Sequence, residues 1–261
     1  DFVHIDPRVE VNEGFIRSRH LDDKAGVAAI YGALQALHRA GLKPRYRLDV
    51  LISSYEEVGH GAAAGWAEYV EELVAVDMAA AGGDQNSDEF SVGICAKDSG
   101  GPYHLGLRRR LETLAKANSI PYRVDIYPHY GSDGEAAWRA GADLKVALIG
   151  PGVDASHAYE RTHADSLEAT IKLLVAYLLS DPGATVAVVG GADELGTVLS
   201  VVDETDVSLV VTMDDVDAGD VDADVDASDV EVSTLAALYG RGAAAYDDDA
   251  YESWVAERDP V

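Results

Sequence analysis

Acidic residues follow three apolar runs in this sequence, at positions where their carboxylates could hold a cation. They are Asp22, Asp23, Glu56, Glu57 and Asp77. A carboxylate beside an apolar core costs free energy unless something compensates its charge. In an open α/β sheet, sites form outside the carboxyl ends of the strands, so acids at several strand ends can converge on one point. Oxygen ligands joined by a histidine suit a divalent metal such as zinc, so the spacing predicts a metal site.

The adjacent pair Glu56 and Glu57 has two explanations. At the end of a strand the backbone can turn so that both side chains flank one site, although successive strand residues point to opposite faces. One carboxylate could then bind a metal while its neighbour moves a proton. The alternative is a solvated acidic turn, because acidic residues are usually exposed. The order of the three acidic motifs favours the first explanation.

Four segments resemble motifs of the TET-type glutamyl/leucyl aminopeptidases, which are two-metal metallopeptidases. They are 18–26, which resembles the segment with the bridging aspartate, 56–59, 76–77, and the Ser-Asp-Gly turn 132–134. The resemblance covers residues 2 to about 179. It implies the α/β catalytic domain of that family, a three-layer fold of the phosphorylase/peptidase type with helices flanking a mostly parallel sheet.

The same resemblance implies a role for each acid. Asp22 would bridge two divalent metal ions, zinc or cobalt, while Glu57 and Asp77 would each bind one of them. Glu56 would be the general base, and a cis peptide bond would precede Asp23. The implied reaction is hydrolysis of the N-terminal residue of a peptide by a water that the two metals activate.

The last protein ligand of the family is a histidine before the final long helix, where this sequence has His157 and His163. The family's His-x-x-x-Glu pattern is met only approximately, because Glu160 lies one residue closer to His157. We expect His157 to be the ligand, since the loop 150–154 leads up to it. His163 is then expected at the start of the helix or behind the ligands.

The family's first metal ligands form a His-x-Asp motif upstream of an inserted β-domain. His4 and Asp6 have the same spacing, but the residues after them resemble the strand that leaves the inserted domain. We therefore expect that His4 is not a ligand and that the chain lacks the N-terminal part of the family. A chain without that half-site would bind at most one zinc or cobalt ion tightly.

The composition is strongly acidic, because 47 Asp and Glu against 20 Lys and Arg give a formal net charge of -27. This charge repels nucleic-acid phosphates and destabilises a compact state unless salt screens it. We therefore expect a halophilic source. The 48% of hydrophobic residues indicates a globular chain. The single cysteine, Cys95, excludes an internal disulfide and fits a reducing cytoplasm. We expect a cytoplasmic protein, since the sequence has no signal peptide and no apolar span.

Helical and strand patterns alternate along the chain. Helices are predicted at 26–38, 62–70, 103–118, 134–139 and 165–179, and strands at 45–52, 73–77, 90–96, 122–127 and 144–149. Strands separated by helices imply crossover connections and a mostly parallel sheet. The fold class is therefore α/β.

Three regions are predicted. Residues 1–17 would be the tail of an inserted β-domain, 18–180 the metallopeptidase-like catalytic domain, and 181–261 a small acidic α/β appendage. Within the appendage, strands are predicted at 185–191 and 207–211, and a solvated hairpin or disordered loop at 214–229.

Two functions of different classes fit the sequence. The first is a metal-dependent aminopeptidase that acts on peptides as a homo-oligomer, without nucleic-acid or membrane partners. The second is a non-catalytic, peptidase-like remnant that keeps the fold and part of the metal site.

Overall fold

The structure is a computed structural model that describes residues 5–64, 66–67 and 69–180. It also describes the backbone of 185–189, 207–212 and 231–234.

Nine strands of the described chain form one sheet. They are β1 (Glu10–Asn12), β2 (Phe15–Ser18), β3 (Glu72–Val76), β4 (Ala79–Ala81), β5 (Val92–Asp98), β6 (Gly101–Pro102), β7 (Tyr122–Tyr127), β8 (Lys145–Asp154) and β9 (Glu160–His163). The helices are α1 (Leu21–Arg39), α2 (Leu105–Ala117), α3 (Asp133–Arg139) and α4 (Ala164–Leu179). None of the described helices has the length and apolar character needed to cross a lipid bilayer.

Strand β8 is the centre of the sheet. It runs parallel to β3 along its first half and parallel to β4 at its end, while its middle pairs antiparallel with β5. Strand β5 also pairs with β7 in parallel and with β6 antiparallel. Beyond β8, strands β9, β2 and β1 follow in antiparallel pairs. The sheet is therefore mixed.

Side chains of β8 contribute to two cores. Ala147 and Ile149 pack with residues of α1, α2 and α4 on one face of the sheet. Val146 and Leu148 pack on the other face, where Trp138 of α3 joins them. Because successive strand residues point to opposite faces, one buried strand can hold helices on both sides. This layering fixes the end of β8, where the loop to β9 begins.

The predicted α/β class is confirmed, with helices flanking the sheet, but the sheet is mixed rather than mostly parallel, because β5 turns antiparallel to β8 and β6 and because β9, β2 and β1 add antiparallel pairs. The predicted strand 122–127 coincides with β7. The helices predicted near the middle and the end of the catalytic region are found as α2 and α4. Strand β8 continues five residues beyond the predicted 144–149, to Asp154, because its last part pairs with β4.

Two predicted elements are wrong. Residues 45–52 form no strand, because no strand of the described chain lies beside them to complete a ladder. The described residues of the predicted helix 62–70, which are 62–64, 66–67 and 69–70, form turns, bends and irregular backbone and no helix. Ala62 has a φ of 53°, a left-handed conformation that a right-handed helix cannot begin with. Glu56 and Glu57 therefore follow an irregular segment and lie in a 3-10 turn.

The predicted division at residues 17 and 180 stays a prediction. Beyond 180 the described backbone forms β10 (Thr185–Val189), β11 (Val207–Thr212) and β12 (Glu231–Thr234), which pair in parallel. Both strands predicted there are thus confirmed. The acidic stretch 214–229 lies outside the described residues.

Close packing of β8 against the end of β3 gives a first prediction. A Cβ atom on Gly150 would lie 1.5 Å from the backbone oxygen of Asp77. We predict that Gly150→Ala lowers the free energy of unfolding by at least about 1–3 kcal/mol, the usual cost of overpacking. The control Gly106→Ala places its Cβ 3.1 Å from the His104 side chain, which can move. Equal midpoints for the two variants in denaturant unfolding would contradict this prediction.

Candidate metal centre

Asp22 lies where the chain passes from β2 into α1. Its side chain is only 6% exposed, and its Oδ2 accepts a hydrogen bond from Ser156 Oγ at 2.8 Å. Asp22 and Asp23 depart from helical dihedral angles, and the peptide bond between them is cis, as the resemblance implied. The break in the helix points Asp22 toward the loop between β8 and β9.

Three side chains from distant parts of the sequence meet at this point. Asp22, Glu57 and His157 each offer one ligand atom, and these atoms all lie within 4.8 Å of one another. His157 Nε2 is 3.3 Å from Asp22 Oδ2 and 3.3 Å from Glu57 Oε2. Two carboxylates and one imidazole form the kind of ligand set that catalytic zinc sites use. We refer to these three residues as the triad.

Glu160 positions two members of the triad. This residue is 2% exposed. Its Oε2 accepts a hydrogen bond from the backbone N–H of Asp22 at 3.0 Å, and its Oε1 accepts one from the backbone N–H of His157 at 3.0 Å. A buried carboxylate with two such donors is compensated without a cation. Glu160 therefore fixes the distance between two loops rather than offering a free ligand.

Asp77 follows β3 directly, as predicted from the apolar run before it. Its backbone N–H donates to the Ile149 carbonyl at 3.0 Å, which extends the β3–β8 pairing by one residue. Its Oδ1 accepts a hydrogen bond from the Met78 N–H at 2.7 Å. Burial, and then the neighbouring Asp22 and Glu56 carboxylates, raise the pKa of Asp77 well above its usual range. Asp77 is thus a buried carboxyl group beside the triad, and its surroundings disfavour its charged form.

Glu56 borders the same cavity as Asp77 and the triad. Its turn is held by a hydrogen bond from Arg139 Nη2 to the Gly59 carbonyl at 3.2 Å. Burial raises the pKa of Glu56 to about 7, and the carboxylates of Asp133, Glu57 and Asp22 contribute to this rise. Burial and then the Asp22 charge also raise the pKa of Glu57.

Asp133 begins α3 and carries an unsatisfied oxygen. Its Oδ1 is buried and accepts no hydrogen bond within the described part of the chain, and burial raises its pKa. A buried chain of hydrogen bonds fixes the helix start: Tyr103 Oη contacts both Asp98 and Ser132 Oγ, the latter at 2.6 Å, and Ser132 Oγ accepts from the Gly134 N–H at 3.1 Å.

The charges of this cluster fit a cation. The carboxylates of Asp22, Glu56, Glu57, Asp77 and Asp133 gather here. After burial, the charges of their neighbours raise the pKa values of Glu56, Glu57 and Asp77. Within the triad, the His157 imidazole lies 3.3 Å from each of the two carboxylates, and it carries a positive charge only when it is protonated. A divalent cation would compensate the buried, unsatisfied Oδ1 of Asp133 and would reduce the repulsion among these carboxylates.

The triad borders two cavities. One, of about 230 Å³, extends past Glu56 and Asp77 toward Tyr130 and Arg139. The other, of about 360 Å³, extends toward residues such as His20 and Tyr159. A substrate held at the triad could therefore extend in two directions.

His163 and Asp6, the other predicted positions that the structure describes, are not members of the triad. His163 forms the N-cap of α4, because its Nδ1 accepts a hydrogen bond from the Asp165 N–H at 3.2 Å, and its ring packs against Phe15 and Phe90. This is the helix-start position expected for it. His4 lies outside the described residues. Asp6 accepts a hydrogen bond from the Arg8 N–H at 2.9 Å.

Sequence reasoning missed the residues that position the triad. Glu160 entered only as an imperfect match to a spacing pattern, and Ser156 did not enter. The one available signal was an acid three residues after a histidine in a loop. The buried contacts of Asp98 and Tyr103 left no pattern, because they join separate elements.

Comparison with known proteins assigns these features to one family. Residues 1–173 match the model of the M42 glutamyl aminopeptidase family. Over 181 residues the chain is 50% identical to the provisionally named aminopeptidase YhfE of Bacillus subtilis (strain 168). That match covers 69% of this chain and 52% of YhfE, so the chain spans about half the length of this relative.

Solved structures show the same fold. The TET1 peptidase of Pyrococcus horikoshii superposes with a TM-score of 0.55 at 23% identity, over 67% of this chain and 53% of that chain. An aminopeptidase of the archaeon Desulfurococcus kamchatkensis superposes with a TM-score of 0.56 at 20% identity, over 68% of this chain and 53% of that chain.

The raised pKa of Glu56 predicts a pH dependence of stability. Between its ordinary value of 4.5 and about 7, the folded protein holds a proton that the unfolded chain has released. The stabilisation is therefore present at low pH and is lost as pH rises through this window. We predict that the melting temperature in EDTA falls from about pH 5 to pH 8, and falls less in Glu56→Gln. Glu168→Gln, on the surface of α4, should keep the wild-type decrease. A wild-type profile without this decrease would be the contrary result.

Proposed function

Because the chain belongs to the M42 glutamyl aminopeptidase family, we propose that it acts as a metal-dependent aminopeptidase that removes N-terminal residues from peptides. The convergence of Asp22, Glu57 and His157 carries this proposal. The activity of the whole protein is part of the proposal, since the chain spans about half the length of its relative.

Two cations, zinc or cobalt, would be held by the cluster. The triad would hold the first, and Asp22 and Asp77 would hold the second. The second position has fewer described donors, because Asp77 Oδ1 is already bonded to the Met78 N–H. When bound, the cations would supply Lewis acidity to the scissile carbonyl and stabilise developing negative charge.

Glu56 would be the general base. Its carboxylate would take a proton from the attacking water and deliver it to the nitrogen of the leaving peptide. Its raised pKa suits this double use, since a group that titrates near the working pH can both accept and release a proton. Glu160 and Ser156 would keep the triad in position during the reaction.

Assembly and environment complete the proposal. The Pyrococcus horikoshii TET1 peptidase is described as assembling into a tetrahedron or a large octahedral shell, and we propose that this chain also forms a homo-oligomer. The net charge of -27 would require salt to screen repulsion between subunits, which supports a halophilic, cytoplasmic protein.

The division of labour between the paired glutamates is testable. We predict that Glu56→Gln abolishes hydrolysis of leucyl- and glutamyl-anilides, because the substitution removes the general base. The metal content should stay nearly unchanged, because Glu56 is not a member of the triad. Glu57→Gln should lower metal content, because the triad loses a ligand. Glu168→Gln serves as the surface control. Activity of Glu56→Gln within about tenfold of wild type, or about 1.4 kcal/mol in barrier height, would show that Glu56 is not the base.

The number of tightly held cations is a second test. We predict that the metal-free chain takes up one zinc ion tightly in titration calorimetry, and that His157→Ala removes this binding while His38→Ala keeps it. The reason is that the triad offers three ligand atoms, whereas one carboxylate oxygen of Asp77 is already hydrogen-bonded to the Met78 N–H. Two tight ions per chain would show that another group completes the second position. No tight ion would favour the non-catalytic remnant.

A further inference from the structure

Residues 55–61, here called the glutamate turn, carry both Glu56 and Glu57 and lie outside the sheet. The backbone N–H groups of residues 59–61 donate to carbonyls of the same turn, over 2.7–3.1 Å. Hydrogen bonds that close within one turn give it a shape but do not fix it against the sheet, and such segments open locally at a low free energy. Side chains of another element must therefore place the turn.

Helix α3 contacts the glutamate turn from both of its ends. At its last residue, Arg139 Nη2 donates a hydrogen bond to the Gly59 carbonyl at 3.2 Å. At its first residue, the Asp133 carboxylate accepts a hydrogen bond from the Ser53 hydroxyl, shortly before the turn. The Asp133 side chain also packs on the turn itself, since a Cβ atom on Gly61 would lie 2.0 Å from Asp133 Oδ1. The helix thus brackets the two glutamates.

One further polar contact reaches this region from a distant element. Within the described chain, it is the 3.3 Å contact between Glu57 and His157. Both of these side chains are more than half exposed, and both are ligand candidates at the site itself. Of the described elements, α3 is therefore the one that can place the turn from outside the site.

Arg139 is itself oriented by Glu135, one helical turn earlier, whose Oε1 lies 3.1 Å from Arg139 Nη1. The Glu135 side chain is 14% exposed and packs against two glycines. A Cβ atom on Gly100 would lie 2.1 Å from Glu135 Cγ, and one on Gly131 would lie 2.5 Å from Glu135 Oε2. Because a guanidinium group is a planar fork, a partner that fixes Nη1 also aims Nη2, here at the turn.

The helix is anchored to the sheet independently of the turn. Trp138 Nε1 donates a hydrogen bond to the Leu144 carbonyl at 2.9 Å, directly before β8. The Trp138 side chain packs in the core with Val146 and Leu148 of β8. A contact between the turn and α3 is therefore a contact between the turn and the frame of the site.

We propose that Arg139 is a positioning residue of the site: oriented by Glu135, it holds the glutamate turn so that Glu56 and Glu57 face the same cavity. Arg139, Glu135 and Gly59 all border that cavity, of about 230 Å³. The role of Glu56 in this inference rests on the proposed function, whereas the contacts of Arg139 do not. Because its charge is paired with Glu135, Arg139 acts on the turn through geometry.

Amide hydrogen exchange of the metal-free full chain tests the positioning role without any reaction. We predict that Arg139→Ala speeds exchange in residues 55–61 by about tenfold or more, because the turn opens more easily, while β8 keeps its wild-type rate. Arg109→Ala, at an exposed position of α2, is the matched control and should exchange as wild type does. Unchanged exchange in the turn overturns the proposal. Equal acceleration in β8 also overturns it, because Arg139 would then stabilise the whole fold.

Chemical rescue tests whether the guanidinium group itself places the turn. Arg139→Ala should hydrolyse leucyl-anilide about 10²-fold more slowly, the usual cost of a small misplacement, and should bind zinc more weakly. Arg139 is 58% exposed, so guanidinium chloride far below denaturing concentrations can reach the vacated space. It should restore both properties, whereas equal KCl should not. A variant that regains neither property overturns the proposal.

These outcomes separate the positioning role from the proposed function. A wild-type chain that hydrolyses no anilide refutes the proposed function, and hydrogen exchange and zinc affinity still decide the role of Arg139. An active wild type, with an Arg139→Ala variant of equal activity and wild-type exchange, refutes the positioning role and leaves the aminopeptidase proposal standing.

Discussion

Mutual repulsion among buried carboxylates is the constraint on which this structure depends. Asp22 stands close enough to Asp77 and Glu56 that its charge adds to burial in raising their pKa values, so each carboxylate must be held in place by something else. The fold supplies that restraint through backbone hydrogen bonds, above all those to Glu160. Charge that the protein itself does not neutralise is then available to bind a cation.

The restraint comes from two kinds of structure. Asp77 is held by the β3–β8 pairing, which buries its backbone against Gly150 and leaves it little freedom. Glu57 and His157 come from a short turn and a loop, and their side chains are 56% and 61% exposed. Sheet registry therefore restrains Asp77, whereas local hydrogen bonds restrain the turn of Glu57 and the loop of His157.

The sequence predicts the fold class and the approximate place of the site. Acidic residues follow the apolar runs, and acids at the carboxyl ends of strands lie at one edge of the sheet. The position of Asp77 directly after β3 was predictable for that reason. Residues 45–52, which were predicted to form a strand, show the limit of this reasoning, since an alternating pattern tells which side chains share a face but not whether a neighbouring strand exists. Glu160 shows another limit: it accepts a hydrogen bond from Asp22, 138 positions away in the sequence, and no local pattern encodes such a contact.

The difference in exposure between Asp22 and the pair Glu57 and His157 bears on how a cation would enter. Asp22 is fixed by Ser156 from one side and by Glu160 through its backbone, so its carboxylate is positioned before any ion arrives. Glu57 and His157 are far more exposed than Asp22, so an ion arriving from solvent would meet these two side chains first. One restrained carboxylate behind two exposed side chains would hold an ion at the point where both cavities meet and leave each cavity open to a second molecule.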